Sequence, residues 1–317
     1  MDGPPDPDSL ERFRADLARV WPAEGERLGI AVSGGPDSLA LLLLAHAALP
    51  GRVEAATVDH GLRDESAAEA AMVAGLCHRL GIEHATLPVA LDDGNVQDRA
   101  RAARYAALGA WVERRSLDAL ATAHHADDQA ETLLMRLNRG SGLSGLAGIR
   151  ECAPLPCGRP VVRPLLAWRR AELSAVVEAA GITPVDDPSN RDPAYDRARI
   201  RQAMAAADWL DPVAIATSAR LLAEAEVTIA AIADDAFARG VSREAGGFRY
   251  RPEGPRLVRY RVVQRILQAL SARPRGGQVA ALVERLEGGG AANLAGVMAR
   301  AEGEAWLFAR EAPRRSG

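Results

Sequence analysis

The segment Ala31–Ser38, AVSGGPDS, constrains this chain more than any other. It closes an apolar run, Leu28–Val32, and leads into LALLLLAHAAL, a plainly helical stretch. The corner is therefore strand, turn, helix. Gly34 and Gly35 permit positive φ and close backbone approach, while Ser33 and Ser38 supply hydroxyls. The following helix aims its first N–H groups and its dipole into the turn, a geometry that holds phosphate without a lysine. Asp37 would repel a bare phosphate, so it suits a cation such as Mg2+ or a capping role. An N-capped turn is the plainer alternative, because Ser and Asp favour that position. Against it, five specified residues at ordinary frequencies would coincide only about once in several thousand such chains. Phosphate binding by Ser33, Gly34, Gly35, Pro36, Asp37 and Ser38 is the better reading.

Composition sharpens the point. The chain holds no lysine, so all 39 basic residues are arginine. That excludes a phosphate-loop lysine and a Schiff-base lysine. Any anion must be met by arginine, backbone N–H groups or a metal. A net charge of −3 identifies no partner by itself. With 317 residues the chain can form two domains. No apolar run is long enough to cross a membrane, no signal peptide opens the sequence, and three cysteines make no disulfide framework. A cytoplasmic protein is the expectation. Met1–Ser9, acidic and proline-rich, reads as a frayed end.

Strand candidates at Arg27–Val32, Val53–Val58, Glu83–Val89, Ala119–Ala123 and Pro160–Arg163 alternate with helical patterns. These fall at Ser38–Ala48, Ser66–Leu80, Val96–Arg115 and Asp127–Asn138. Such alternation means an α/β fold, a Rossmann-like parallel sheet with helices on both faces. Ligands in such sheets lie beyond the carboxyl ends of strands, where the strand order switches. Beyond Trp209–Pro212 the pattern turns helical, from Ala214–Gly240 onward, with strand-like pieces only at Gly247–Arg251 and Ala305–Arg310. Residues 1–210 are thus expected to form a nucleotide-binding catalytic domain, and 211–317 a smaller, mostly helical one.

The glycine corner resembles the pyrophosphate loop, SGGxDS, of the N-type ATP pyrophosphatases (the PP-loop superfamily). Further segments resemble one family among these, the tRNA(Ile)-lysidine synthases. They are VDHGLR (58–63), ARAARY (100–105), AHHADDQAETLLMRLNRGSGLSGLAGI (123–149), RPLL (163–166) and DDPSNRDPAYDRARIR (186–201). Their order and spacing match from about residue 27 to 205. The resemblance implies an enzyme that modifies the wobble cytidine, position 34, of the tRNA(Ile) with a CAU anticodon. ATP, with Mg2+, adenylates the C2 oxygen of the base, and free L-lysine then displaces AMP to give lysidine. Codon and amino-acid specificity thereby change from methionine to isoleucine. The resemblance also implies a tRNA-binding C-terminal domain and frequent dimers.

The residues can be weighed one by one. His124 and His125 follow the strand 119–123 at the same rim as the loop. Asp128 and Glu131 share a helix face three residues apart. Two carboxylates there suggest a Mg2+ or ammonium site, or merely an acidic helix start favoured by the dipole. The resemblance assigns His124, Asp128 and Glu131 to the reaction centre, with Asp37 as a metal-side carboxylate beside Asp128. Arg104, and after it Arg101, are the candidate cationic clamps; exposed helical arginines otherwise only solvate. The loop with Arg139, Gly140, Ser141 and Gly142 is either a linker or a flexible wall over the base. Arg163, Arg197 and Arg201 suit RNA phosphate, and Tyr195 a stacked base. A charged surface helix would explain the arginines too. Asp187 and Asn190 suit lysine binding or loop geometry. Ala198 stands where the family pattern has asparagine, so any hydrogen bond of that amide is missing here. Two other readings compete: a PP-loop tRNA thiolase, which needs cysteines that Cys77, Cys152 and Cys157 do not supply in the expected places, and a non-catalytic nucleotide-binding module.

Overall fold

The computed structural model describes residues 3–22, 26–59, 64–89, 96–185, 196–244, 246–272, 274 and 276–311. The chain falls into two compact units. One is Met1–Ser141 with Gly145–Leu221; the other is Gly142–Ser144 with Leu222–Gly317.

In the first unit a six-stranded sheet runs in the order β3-β2-β1-β4-β6-β5. The strands are β1 (Leu28–Ala31), β2 (Val53–Asp59), β3 (Glu83–Pro88), β4 (Ala119–Ala121), β5 (Cys152–Pro154) and β6 (Pro160–Val162). All neighbours are parallel except β5, which pairs antiparallel with β6. The α/β expectation therefore holds, and the five expected strands are present. β5 was missed, because CAP has neither β-branched residues nor alternation to mark it.

One side chain in two decides each face. Leu28 and Ile30 of β1 are fully buried. They join a core with Phe13 and Leu17 of α1 (Pro7–Val20), the leucines of α2 (Pro36–Ala48), and Leu173 and Val177 of α7 (Arg170–Ala179). Residues 38–45 of α2 are all buried, as a helix apolar on every side must be, and α1 and α7 both pack on it. On the other face Gly29 leaves room for Trp111 of α4 (Val96–Arg114), which lies among Leu108, Leu117, Leu120 and Val161. The start of α1 corrects the frayed-end expectation. Asp6 caps it by accepting from the N–H groups of Asp8 and Ser9 at 3.1 and 3.0 Å. Near the amino end of β2, away from the corner, buried Glu54 is clasped by Arg27 and by two N–H groups of Arg115 at 2.7 and 3.0 Å.

The second unit carries more sheet than its sequence suggested. Five antiparallel strands run in the order β7-β8-β11-β10-β9. They are β7 (Val241–Glu244), β8 (Gly247–Tyr250), β9 (Ala291–Leu294), β10 (Val297–Glu302) and β11 (Ala305–Arg310). Helices α10 (Arg256–Ala269) and α11 (Gly276–Glu287) cover them through Val262, Ile266, Val279 and Val283. Arg256 and Arg259 pair with Glu287, and Arg261 with Glu226 on α9 (Pro212–Gly240).

A Cβ on Gly29 would sit 2.7 Å from Trp111 and 2.9 Å from Leu117. Gly29→Ala should therefore cost about 1–3 kcal/mol of stability. Urea unfolding followed by tryptophan fluorescence measures it, and an unchanged midpoint would contradict this packing.

Candidate active site

The chain passes from β1 to β2 on one side of the sheet and returns to β4 on the other. The carboxyl ends of β1 and β4 therefore open side by side at the switch in strand order, where α/β folds bind ligands. Two loops meet there: Val32–Gly35 leading into α2, and Thr122–His125 leading into α5 (Ala126–Asn138).

The first loop is held from within. Gly34 has φ +79°, and its carbonyl accepts from the Val185 N–H at 3.0 Å. The Ser38 hydroxyl accepts from the Ser33 N–H at 3.1 Å and donates to the Gly35 carbonyl at 3.0 Å. Because that proton is used, the Ser33 hydroxyl is the donor in the Ser33–Ser38 contact of 3.2 Å. Gly35 precedes α2 with no side-chain cap, and Pro36 opens the helix. No side chain of the loop caps α2, so the capped-turn alternative loses its basis.

His125, placed at the rim by the sequence but given no role there, lies at the centre of the carboxylates. It is 3 % exposed, and its Nε2 lies 3.4 Å from Asp37 and 3.5 Å from Asp128, with Nδ1 3.5 Å from Asp127. Burial alone would lower its pKa. The hydrogen bonds of Asp127 and Asp37 and the charge of Asp128 outweigh that and push it up to about 10. The ring is an imidazolium at neutral pH. Burial likewise opposes ionisation of Asp127, but His125, the Arg170 N–H and Arg169 hold that carboxyl well below its usual range. Arg169 meets Asp127 at 3.2–3.3 Å, and the Arg170 N–H at 2.9 Å. Asp128 is also lowered, against burial, by the charges of His125 and Arg197 and by the His125 N–H, which it accepts at 3.2 Å.

His124 has the opposite character. Burial first, then the charges of Arg163, Arg101 and Arg197, push its pKa down to about 3, so it is neutral. Its Nδ1 lies 3.0 Å from the Thr122 hydroxyl. These three arginines come from α4, the end of β6 and α8 (Asp196–Ala205), so the structure gathers the expected cations around one ring. Arg163 is 5 % exposed and donates to the Arg150 carbonyl at 2.7 Å. Arg101 stacks over Tyr105, 5.1 Å from its centroid, and Arg104 is on the same helix.

Glu131, 1 % exposed, is already engaged. It accepts from Arg197 at 3.0 Å and from Arg201 at 2.6 and 3.3 Å. Two arginines expected to face RNA phosphate are thus turned inward to this carboxylate. Ala198 is buried on the same helix, where an asparagine would have added a polar group. Arg139 pairs with Asp196 at 2.9 Å. Gly140, with φ +64°, and Ser141, whose N–H donates to the Arg136 carbonyl at 3.0 Å, follow the end of α5. Gly142 has open space beside it. Asp187, Asn190 and Tyr195 lie outside the described residues.

Gln129 escaped the sequence reading. Buried on α5, it donates to the Ile149 carbonyl at 2.8 Å and accepts from the Ile149 N–H at 2.7 Å. A Cβ on Gly148 would fall 2.4 Å from that amide, and Gly148 has φ +60°. One amide and one glycine therefore anchor the exit of the glycine-rich loop.

For a cation the fit is partial and specific. Asp37 Oδ1 is buried with no hydrogen-bond partner among the described residues, an acceptor suited to a hard metal. Asp128 faces His125 and Arg197. A Mg2+ here would take Asp37, with nucleotide phosphates and water completing its shell.

A pyrophosphate-type corner at the switch point, a carboxylate set beside it and an arginine rim define an ATP-using enzyme of the PP-loop class. The PP-loop domain matches residues 9–207 of the chain. The chain is 49% identical over 313 residues to the tRNA(Ile)-lysidine synthase of Novosphingobium aromaticivorans, covering 97% of this chain and 95% of that one. It is 42% identical over 299 residues to that of Zymomonas mobilis, covering 91% and 90%. Among solved structures, the U34-tRNA thiolase NcsA of Methanococcus maripaludis shares the fold, with a TM-score of 0.58 and 18% identity, over 70% of this chain and 78% of that one. The chain belongs to the tRNA(Ile)-lysidine synthase family.

The opposed histidines predict opposed titrations. For His125 the folded pKa lies above the ordinary value, so its stabilisation is complete below pH 6.5 and lost as pH rises through about 10. Histidine NMR should show His125 protonated at pH 8 and His124 neutral at pH 6. Ordinary titration of both rings near pH 6.5 would contradict the arrangement.

Proposed function

We propose that this enzyme joins free L-lysine to C2 of the wobble cytidine, position 34, of the tRNA(Ile) bearing a CAU anticodon. One observation carries the reading. The SGGPDS loop and the HHADDQAE helix start meet at one rim, in a chain that aligns with lysidine synthases over almost its whole length. The site lies on the PP-loop unit, and the second unit is the proposed tRNA-binding domain. Cytoplasmic tRNA and free lysine set the compartment; among the described residues no helix is long and apolar enough to cross a membrane. Dimerisation belongs to the same proposal.

The chemistry has two steps. First the cytidine C2 oxygen attacks the α-phosphorus of ATP. The bond from that phosphorus to the bridging oxygen breaks, and its electron pair leaves with pyrophosphate. The Ser33–Ser38 loop and the α2 N-terminus hold the phosphates. Bound Mg2+ would neutralise charge on them. Next the lysine side-chain nitrogen attacks C2, and the C2–O bond breaks with its pair passing to AMP. Arg101 and Arg104 are the cations offered to RNA around this centre, with Arg163 buried behind them.

Lysine's amine has a pKa near 10.4, so only about one molecule in a few thousand is nucleophilic at pH 7, a cost of roughly 4–5 kcal/mol. The site must take a proton. Glu131 has both oxygens engaged by Arg197 and Arg201. His124 is neutral, with Nδ1 3.0 Å from the Thr122 hydroxyl, and anionic phosphate bound beside Arg101, Arg163 and Arg197 would raise its proton affinity, which favours His124 for this role.

Incubation with tRNA(Ile), ATP and labelled lysine tests the function: lysine enters the RNA and pyrophosphate appears. Release of pyrophosphate accompanied by sulfur incorporation would mean a thiolase. Asp37→Ala should abolish pyrophosphate release, measured without lysine. In single turnover from pre-formed adenylate, His124→Asn should lower lysine transfer at least 100-fold, whereas Glu131→Gln should retain more. The reverse order would make Glu131 the proton acceptor.

A further inference from the structure

We propose that Arg170, the first residue of α7, grips the β- and γ-phosphates of ATP and meets the charge that develops on the departing pyrophosphate. The inference rests on the reading of this rim as an ATP site. It begins from the missing lysine: the cation that faces the triphosphate tail has to be an arginine.

Four of the neighbouring arginines are engaged elsewhere. Arg169 spends its guanidinium on Asp127 at 3.2–3.3 Å. Arg197 and Arg201 are bound to Glu131, and Arg163 is buried against the Arg150 carbonyl. Arg170 is different. Its guanidinium reaches the pyrophosphate-type loop, with Nε 4.0 Å from Asp37 Oδ1, too long for a hydrogen bond. The side chain is 41 % exposed, and among the described residues its guanidinium has no hydrogen-bond partner, so its donors face the mouth. Among the described residues Asp37 Oδ1 itself has no hydrogen-bond partner. An under-bonded carboxylate oxygen and an open guanidinium thus face one another beside the Gly34–Gly35 turn.

The backbone beneath Arg170 is fixed. Its N–H donates to Asp127 at 2.9 Å, and α7 packs along α2, the helix that the loop leads into. The side chain therefore projects from a rigid base, and a forked guanidinium on such a base matches two phosphate oxygens at once. As the bond at the α-phosphorus breaks, the electron pair settles on the pyrophosphate oxygen. A fixed cation beyond that oxygen stabilises the developing charge.

Binding calorimetry on the full chain, with ATP, inorganic pyrophosphate and AMP as separate titrants, tests the assignment. Arg170→Ala should weaken ATP and pyrophosphate binding about 10- to 100-fold while leaving AMP within twofold. Arg170→Lys should recover part of the loss. Unchanged ATP and pyrophosphate affinities, or an equal loss for AMP, would overturn it. Failure of the unsubstituted enzyme to release pyrophosphate would overturn the functional reading instead, whereas the affinity differences judge Arg170 on their own.

Discussion

The active-site rim depends on a charged histidine sealed between three carboxylates. His125 sits among Asp37, Asp127 and Asp128. Each of these acids belongs to the start of a helix or is bonded to one. Asp37 stands in the first turn of α2, and Asp127 and Asp128 in the first turn of α5, while Asp127 also receives the first N–H of α7. Three helix N-termini thus converge on one anionic knot whose charge the imidazolium partly balances. Helix dipoles favour the acids, and the acids favour the proton on His125. Removing the ring would leave half-buried carboxylates facing each other, a greater cost than losing a surface pair.

Charge is sorted across the site as a consequence. Acids and the imidazolium lie beneath the phosphate loop. The neutral ring of His124 lies beside them, among Arg101, Arg163 and Arg197. Two adjacent histidines differ in charge because their surroundings differ, although their residue type does not.

Much of the catalytic fold was legible in the sequence because parallel strands buried on both faces read as continuous apolar runs. The expected bounds of β1 to β4 are within two residues of those observed. The elements that escaped lacked such a signal. β9 and β10 are rich in alanine, AANLAGVMARAE, and become strands through pairing, β10 with β11 and β9 with β10, rather than through propensity. At the site, the pyrophosphate-type loop could be read from its glycines alone. His125 could not be told from His124 in the doublet, since one turns into the knot of carboxylates and the other toward Thr122. Gln129 and Arg170 carried no motif: their significance comes from Ile149 and Asp37, distant in sequence. Glu131 was legible as a site residue, yet its engagement with Arg197 and Arg201 required the chain to fold α8 back onto α5.

The central claim is that this corner holds ATP so that a cytidine oxygen becomes linked to AMP before any lysine takes part. The most direct measurement omits lysine and follows the label of α-phosphate-labelled ATP into tRNA(Ile). The account predicts one labelled adenylate per tRNA at position 34, chased quantitatively to free AMP when lysine is added. Absence of RNA-bound label, with lysine incorporation intact under the same conditions, would contradict it.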